Sequence, residues 1–390
     1  MLRVGIVAGE PSGDQLGAAL IEALKARVPD LEITAMAGPQ MRRAGCREIA
    51  GIEELSVMGL LEVLKHYPRL RRLRSRLVNT FRSLRLDVFI GIDVPDFVLH
   101  IETELKAAKI PTLHLVCPQV WAWRQQRLPA IRRAATCVLT LFPFETEFLH
   151  AHGIDARFIG HPLADRIPLD GDRVTARAKF NLDDFSPVIA LLAGSRRQEY
   201  QRHLPLFFAG ASVLLARRPD CQFLVGVVNE QAARHARVIA DQYALPLQII
   251  VARSIEVLSA SDAALCVSGT ITLEAALTKT PVVVAYRMPA LTYAILRRMV
   301  QVPHIALPNL LLGEPLVPEY IQAAATPENL AQALADWLED TARVAVYRAQ
   351  CGSLHRTLRN NAGAAAADAV LELLRERRND AEYRAREHAS

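Results

Sequence analysis

The chain has 390 residues, 51% of them hydrophobic and 22% charged, enough apolar material for two buried cores and too little charge for a disordered chain. Its net charge is only +5, and no apolar run approaches the roughly 20 residues that a membrane-spanning helix requires. Six cysteines stand far apart with no C-x-x-C pair, so buried reduced thiols are expected, with no disulfide framework and no metal site.

The N-terminus, MLRVGIVAGE, carries no signal-peptide pattern, and a cytoplasmic protein is expected. LRVGIVA reads as a strand, DQLGAALIEALKAR as a helix and LEITAMAG as a second strand. DVFIGID, PTLHLVC and TCVLTLF follow as near-continuous apolar runs of the kind a parallel sheet buries on both faces. The stretch from Leu163 to Pro187 is polar and poor in strands, and reads as a linker. The alternation then restarts with VIALLAG, QFLVGVV, LQIIV, DAALCVSG and TPVVVAYR. This rhythm predicts an α/β protein of two Rossmann-like domains facing a cleft, residues 1–165 and 185–345, with a C-terminal helix and a fraying charged tail over 346–390.

Within the first domain, eight Lys or Arg and no acid lie between Val63 and Leu86, while the rest of the chain is net negative. At 100° per residue Leu70, Leu73, Leu77, Phe81 and Leu84 share one stripe, with Arg71, Arg72, Arg74, Arg76, Arg82 and Arg85 beside or behind it and Pro68 in the first turn. Two readings stand: a core-facing helix with a solvated basic back, or an interfacial helix with its stripe among acyl chains and its arginines on lipid phosphates. An unmixed basic face favours the second, helped by LTYAILRRMV (Leu291 to Val300), and makes an anionic membrane surface the expected neighbour.

In open parallel sheets ligands bind beyond the carboxyl ends of strands. GEPSGD follows the first strand, and Glu10, Ser12, Gly13 and Asp14 read either as turn and helix cap or as a substrate loop; the spacing fits neither G-x-G-x-x-G nor a P-loop. Asp93 ends the DVFIGID strand and is a candidate general base, whereas Asp96, after Pro95, is placed to cap the next helix. Trp121 and Trp123 flank one alanine, so one of them competes for a sugar-stacking or covering role; His161 is a structural or a catalytic histidine. In the second domain the turns at Gly194-Ser195-Arg196 and Ser268-Gly269-Thr270 open helices whose free N–H groups suit a diphosphate, with Arg196 adding charge. Glu274, one turn on, either offsets the dipole or accepts from a ribose hydroxyl.

The ordered set AGEPSGD, AGPQM, VMGLLEVL, DVFIGIDVPDF, CPQVWAWR, FIGHPLAD, LAGSRRQE, SGTITLEAAL, VVVAYRM and LPNLLL resembles the lipid-A-disaccharide synthase family from about Val4 to about Leu374. The resemblance implies the GT-B fold, no metal or other cofactor, and inverting transfer from UDP-2,3-diacylglucosamine to 2,3-diacylglucosamine 1-phosphate through a β-1,6 bond. It implies Asp93 as the base, and Arg196, Ser268, Gly269, Thr270, Glu274 and Asn309 as the UDP-holding set. It also implies work on the cytoplasmic face of the inner membrane, without nucleic acid. Oligomeric state stays open at this point, the helical C-terminus giving scope for a homodimer by exchange between subunits. Ala193 stands where the family usually has proline, and Cys117 and Gln119 where it usually has serine. A UDP-sugar epimerase of the same fold and a non-catalytic basic module that binds nucleic acid or anionic lipid are the competing readings.

Overall fold

A computed structural model of the chain describes residues 1–55, 60–183, 185–300 and 302–387; part of the VMGLLEVL stretch lies outside them. The chain forms two compact units, 1–165 together with 358 onward, and 166–357.

In the first unit the elements are β1 (Leu2–Ala8), α1 (Pro11–Arg27), β2 (Leu31–Ala37), α2 (Pro39–Arg43), β3 (Arg47–Gly51), α3 (Leu60–Ser83), β4 (Val88–Ile92) and α4 (Pro95–Ala107). They continue as β5 (Thr112–Leu115), α5 (Leu128–Ala134), β6 (Cys137–Thr140), α6 (Pro143–Ala151), β7 (Ala156–Phe158) and α7 (Pro162–Arg166), which reaches the boundary of the units. The seven strands are parallel, in the order β3-β2-β1-β4-β5-β6-β7. The central strands β1, β4, β5 and β6 are almost wholly buried because helices cover both faces, whereas edge strand β3 exposes Arg47 and Glu48. The order reverses between β1 and β4, so the loops after these two strands flank the switch point where such sheets bind ligands.

One face of this sheet is covered by α3 and α4. Leu73, Leu77, Val78 and Phe81 pack there with Phe97, Val98 and Ile101, and the Phe81 ring meets Phe89 edge-on at 5.2 Å. Leu73, Leu77 and Phe81 are therefore core residues, and the expectation of a lipid-facing stripe fails for them. Helical periodicity marks an apolar side without saying what covers it; here the sheet does. Leu70 is half-buried, Arg71 and Arg72 are exposed, and Arg76 pairs with Glu54 at 3.0 Å, so among the described side chains from Leu70 to Phe81 it is the basic back of the helix that meets solvent. Pro68 lies inside α3, which begins at Leu60, rather than in its first turn.

The second unit contains α8 (Arg173–Ala178), β8 (Val188–Leu192), α9 (Arg197–Arg217), β9 (Gln222–Val227), α10 (Glu230–Ala240), β10 (Leu247–Val251), α11 (Ser254–Ala260), β11 (Ala263–Cys266) and α12 (Thr270–Leu277). It continues through β12 (Val282–Tyr286), α13 (Ala290–Met299), α14 (Leu307–Leu312), β13 (Glu319–Ile321), α15 (Pro327–Glu339) and α16 (Thr341–Leu358). Its strands are parallel in the order β10-β9-β8-β11-β12-β13, with the reversal between β8 and β11.

Two boundaries differ from the sequence reading. The stretch read as a linker carries α8, which is bound into the second unit: Asp262 accepts from Arg177 Nη2 at 2.6 Å and from the Val188 N–H at 2.8 Å, and also pairs with Arg173. The C-terminal segment is divided. α16 stays with the second unit, while α17 (Ala362–Glu387) packs on α1 of the first, where Ala362, Ala366, Val370 and Leu373 join its core. Arg27–Asp368 at 2.6 Å and Arg157–Glu376 at 2.8 Å fasten α17, which runs as helix through residues expected to fray. All six cysteines are free thiols, five buried and Cys46 half-buried.

Candidate functional site

At the first switch point the chain leaves β4 into two consecutive left-handed residues, Asp93 (φ 54) and Val94 (φ 44). Neither is glycine, and a β-branched valine there is strained, so packing must hold the turn. The Asp93 N–H donates to the Leu115 carbonyl at 3.0 Å, and Val94 lies against the loop after β1: a Cβ on Gly9 would fall 2.5 Å from Val94 Cγ2. The result is a half-buried aspartate at a strand end, and among the described residues no hydrogen-bond donor meets its carboxylate. Asp96 does not cap α4. Val94 occupies the N-cap position, and Asp96 pairs instead with Arg127 at 2.6 Å.

The loop after β1 splits into two roles. Glu10 and Ser12 are exposed, while Gly13 is buried against β4. Asp14 is 1% exposed and its carboxylate accepts from the backbone N–H of Gly38 (2.9 Å), Gln40 (2.8 Å) and Met41 (3.0 Å). It therefore caps α2 and ties GEPSGD to GPQM, and the expectation of a substrate-facing or α1-capping Asp14 is corrected.

Next along the rim stand the two tryptophans, both half-buried. Trp121 is anchored: its Nε1–H donates to Glu145 Oε1 at 3.0 Å and its ring meets Phe144 edge-on at 4.9 Å. Trp123 is half-buried with the Arg124 guanidinium 4.0 Å over its ring. Cys117 is buried, which pushes its thiol up, and Gln119 is exposed. His161 is structural. Its Nδ1 accepts from the Leu163 N–H at 3.1 Å, its ring stacks on Phe142 at 5.4 Å, and burial pushes its pKa down to about 4, so it is neutral near pH 7.

Sequence reasoning missed a buried pair under this rim. His114 on β5 and Glu102 on α4, both fully buried, share a 2.8 Å hydrogen bond, leaving His114 Nε2 and Glu102 Oε2 without partners among the described residues. Burial lowers the histidine's proton affinity, but the Glu102 carboxylate and, further off, Asp93 raise it above the ordinary value on balance. Gly91 makes room for the pair, since a Cβ there would fall 2.2 Å from Glu102 Oε1.

At the second switch point the turns after β8 and β11 are neighbours. Gly194 (φ 101) and Gly269 (φ 138) adopt conformations that side chains disfavour, which is what lets each strand turn at once into a helix. Arg196 and Thr270 are exposed. Arg196 Nη1 is 3.0 Å from Glu199 Oε1, and the other oxygen of Glu199 accepts from the Arg196 N–H at 3.3 Å. Glu274 accepts from Ser254 Oγ at 2.6 Å with one oxygen only, and burial raises its pKa.

Two expected ligand-holding side chains are occupied elsewhere. The Ser268 hydroxyl donates to the Ile305 carbonyl at 2.7 Å. Asn309 is 0% exposed: its Nδ2 donates to Val317 O and Glu319 Oε1, both at 2.8 Å, and its Oδ1 accepts from the Val317 N–H at 2.7 Å. Asn309 therefore shapes the segment around α14 instead of presenting its amide to a ligand. Glu319, which the sequence did not single out, closes the same network by accepting from the Ile305 and Ala306 N–H groups at 3.0 and 2.9 Å.

Residues 4–373 match the family model described as lipid-A-disaccharide synthetase. A curated relative from Alkalilimnicola ehrlichii, named lipid-A-disaccharide synthase, is 48% identical over 95% of this chain and 98% of its own length. Among solved structures, the glycotransferase of kitacinnamycin superposes with a TM-score of 0.65 at 17% identity, covering 95% of this chain and 99% of that one. A UDP-GlcNAc 2-epimerase from Neisseria meningitidis gives 0.62 at 14% identity, covering 96% and 100%. The structural likenesses show the GT-B fold alone, shared by transferases and epimerases. It is the sequence relatives that set the epimerase reading aside.

Proposed function

The chain belongs to the lipid-A-disaccharide synthase family, a family of glycosyltransferases in lipid A biosynthesis, and from that premise we propose how its own residues carry the reaction. The substrates are UDP-2,3-diacylglucosamine and 2,3-diacylglucosamine 1-phosphate. Asp93 takes the proton from the acceptor 6-hydroxyl as its oxygen attacks the donor's anomeric carbon from the face opposite UDP. The bond to the diphosphate breaks, UDP leaves and the anomeric centre inverts. The turns at Gly194-Ser195-Arg196 and Ser268-Gly269-Thr270 meet the diphosphate with backbone N–H groups, and Arg196 adds a charge-assisted contact. The unoccupied oxygen of Glu274 accepts from the ribose. Glu10, Ser12 and Trp123 line the acceptor side.

The observation that carries this reading is the Asp93 carboxylate, half-buried on a strained turn at the switch point and met by no donor among the described residues. The test is UDP release with both acylated sugars. Asp93→Asn is expected to abolish most turnover while retaining UDP binding; unchanged turnover in that variant would sink the assignment.

We infer further that the protein works peripherally on an anionic membrane surface, the cytoplasmic face of the inner membrane. No helix among the described residues is long and apolar enough to cross a membrane. With Leu73, Leu77 and Phe81 in the core, the described part of α3 contributes its basic back, Arg71 and Arg72. α13 instead presents an exposed apolar stripe, Leu291 (76% exposed), Ile295 (53%) and Met299 (40%), beside exposed Arg297 and Arg298. Its neighbourhood, from Arg287 to Gly313, contains no acid. Leu291→Glu with Ile295→Glu is expected to release the protein from phosphatidylglycerol vesicles, with a smaller loss for Arg71→Glu with Arg72→Glu. Full retention of both variants on the vesicles would refute the docking.

A further inference from the structure

The Trp121–Glu145 contact joins the loop after β5 to the start of α6, 24 residues further on. Glu145 is 3% exposed and lies in the first turn of α6. One of its oxygens, Oε2, accepts from the Leu141 and Phe142 N–H groups, both at 3.2 Å, which is an ordinary way to finish a helix N-terminus. The other is spent on the indole N–H of Trp121. Capping accounts for the first oxygen only.

The loop that Trp121 belongs to, residues 118–127, leaves β5 beside Asp93, because the Asp93 N–H is bonded to Leu115 O. Val116 (φ 79) and Arg124 (φ 58) are both held in the left-handed region, so the loop needs fastening at each end. Arg127–Asp96 fastens one end, three residues beyond Asp93. Trp121–Glu145 fastens the other. Between them lies Trp123, half-exposed like Trp121, with Arg124 over its ring and no hydrogen bond to α6 among the described residues.

We propose that Glu145 is a positioning residue: through its hydrogen bond to Trp121 it clasps the 118–127 loop so that Trp123 and Arg124 face the acceptor on the rim that carries Asp93. The clasp needs the carboxylate. Three donors converge on its two oxygens, two of them on Oε2, so the proton goes to Oε1, where it displaces only the indole N–H. Burial opposes the charge and pushes the Glu145 pKa up to about 7, against the three hydrogen bonds that lower it. Cys117 faces it from the loop as a protonated thiol, and His161 stacks behind Phe142 as a neutral ring. No cation faces it among the described residues, and Glu145 is the group in this cluster that changes charge near neutrality. The loop is therefore clasped above pH 7 and released below it.

Trp121→Phe removes the indole donor and leaves the α6 cap in place. In the unmodified chain the near-ultraviolet circular dichroism of the tryptophans is expected to change in one step with a midpoint near pH 7. In W121F, where Trp123 remains as reporter, the step is expected to vanish. E145Q, which keeps an oxygen for the cap but turns an amide donor against Trp121, is expected to lose it too. At pH 8 the KM for the acylated acceptor should rise about tenfold in W121F, the scale of losing one hydrogen bond to a charged group, with the KM for the UDP-sugar unchanged. A pH step that persists in both variants overturns the clasp. So does a loss of thermal stability with the acceptor KM unmoved, the mark of a merely structural contact. The acceptor measurement rests on the proposed reaction, whereas the dichroism step requires no turnover. A chain that makes no disaccharide yet shows the step, and loses it in W121F, refutes the reaction and supports the clasp.

Discussion

At the first rim the feature left open is a carboxylate on a strained turn, whereas at the second the carboxylates are engaged and what faces outward is backbone N–H and one arginine. Asp93 meets no donor among the described residues, while Glu199 holds Arg196, Glu319 holds three N–H donors, and Glu274 has one oxygen on Ser254. In the proposed reaction the same sheet topology supplies a place to move a proton in one unit and a place to hold an anion in the other. Damage to the first rim should appear in kcat or in acceptor KM, and damage to the second in donor KM or in stability.

The sharpest test of that division is Asp93→Asn. Losing a general base typically costs about 10²–10⁴-fold in rate. The full loss is expected in kcat, with the KM for the UDP-sugar within about twofold of the parent, since the base contributes little to ground-state binding. A variant that loses donor affinity instead would show that the two rims do not divide the work as argued.

The second test concerns stability of the first rim in acid. His161 is buried neutral, with a pKa near 4 against an ordinary 6.5, so the unfolded chain binds its proton first as pH falls. The stability it preserves is fully present above pH 6.5 and is lost between pH 6.5 and 4. A shift of this size corresponds to about 3 kcal/mol. His161→Gln keeps an acceptor for the Leu163 N–H and removes the titration, so urea midpoints measured from pH 7 to pH 4 should fall less steeply. An unchanged slope would assign the acid sensitivity to another group.

How much of this was legible beforehand follows from which interactions are local. Strand ends and the loops after them are local features, so Asp93 and the two glycine turns were readable from apolar runs and spacing, whereas the strand order that makes them switch points was not. Side-chain partners are not local. Nothing near Asp14 announces that its carboxylate reaches Gly38, Gln40 and Met41, and nothing in LPNL says that Asn309 will spend its amide on Val317 and Glu319. The α3 stripe was found correctly and given the wrong neighbour, because a 3.6-residue period reports an apolar side and not what lies against it. α13 makes the converse point: a similar basic, apolar-striped helix keeps its stripe in solvent. The return of α17 to the first unit was also hidden, since its partner α1 lies some 340 residues earlier, as the Arg27–Asp368 pair shows.

At the second rim Asn309→Ala isolates support from contact. It strands the Val317 N–H and carbonyl in a buried site, which costs about 2–3 kcal/mol for the two groups together. The urea midpoint should drop accordingly, and donor KM should rise only as far as the segment around α14 loosens. A large loss of UDP affinity with stability intact would mean that the amide touches the nucleotide after all.

The smallest effect is expected at Arg196, for a reason its surroundings supply. The side chain is 83% exposed and reaches Glu199 across a single helical turn, so its loss barely touches the fold. Against a diphosphate held at the α9 N-terminus it would act as one charge-assisted donor among several backbone N–H groups. Arg196→Ala is therefore expected to raise the KM for the UDP-sugar about tenfold, equivalent to about 1.4 kcal/mol, with kcat changed far less. The effect should shrink as salt rises from 0.1 to about 1 M, because screening acts on an exposed pair far more than on a buried one. Should Arg196→Ala instead reduce kcat as severely as Asp93→Asn, Arg196 would be stabilising charge that develops on the departing UDP, and the anion-holding rim would share directly in the chemistry.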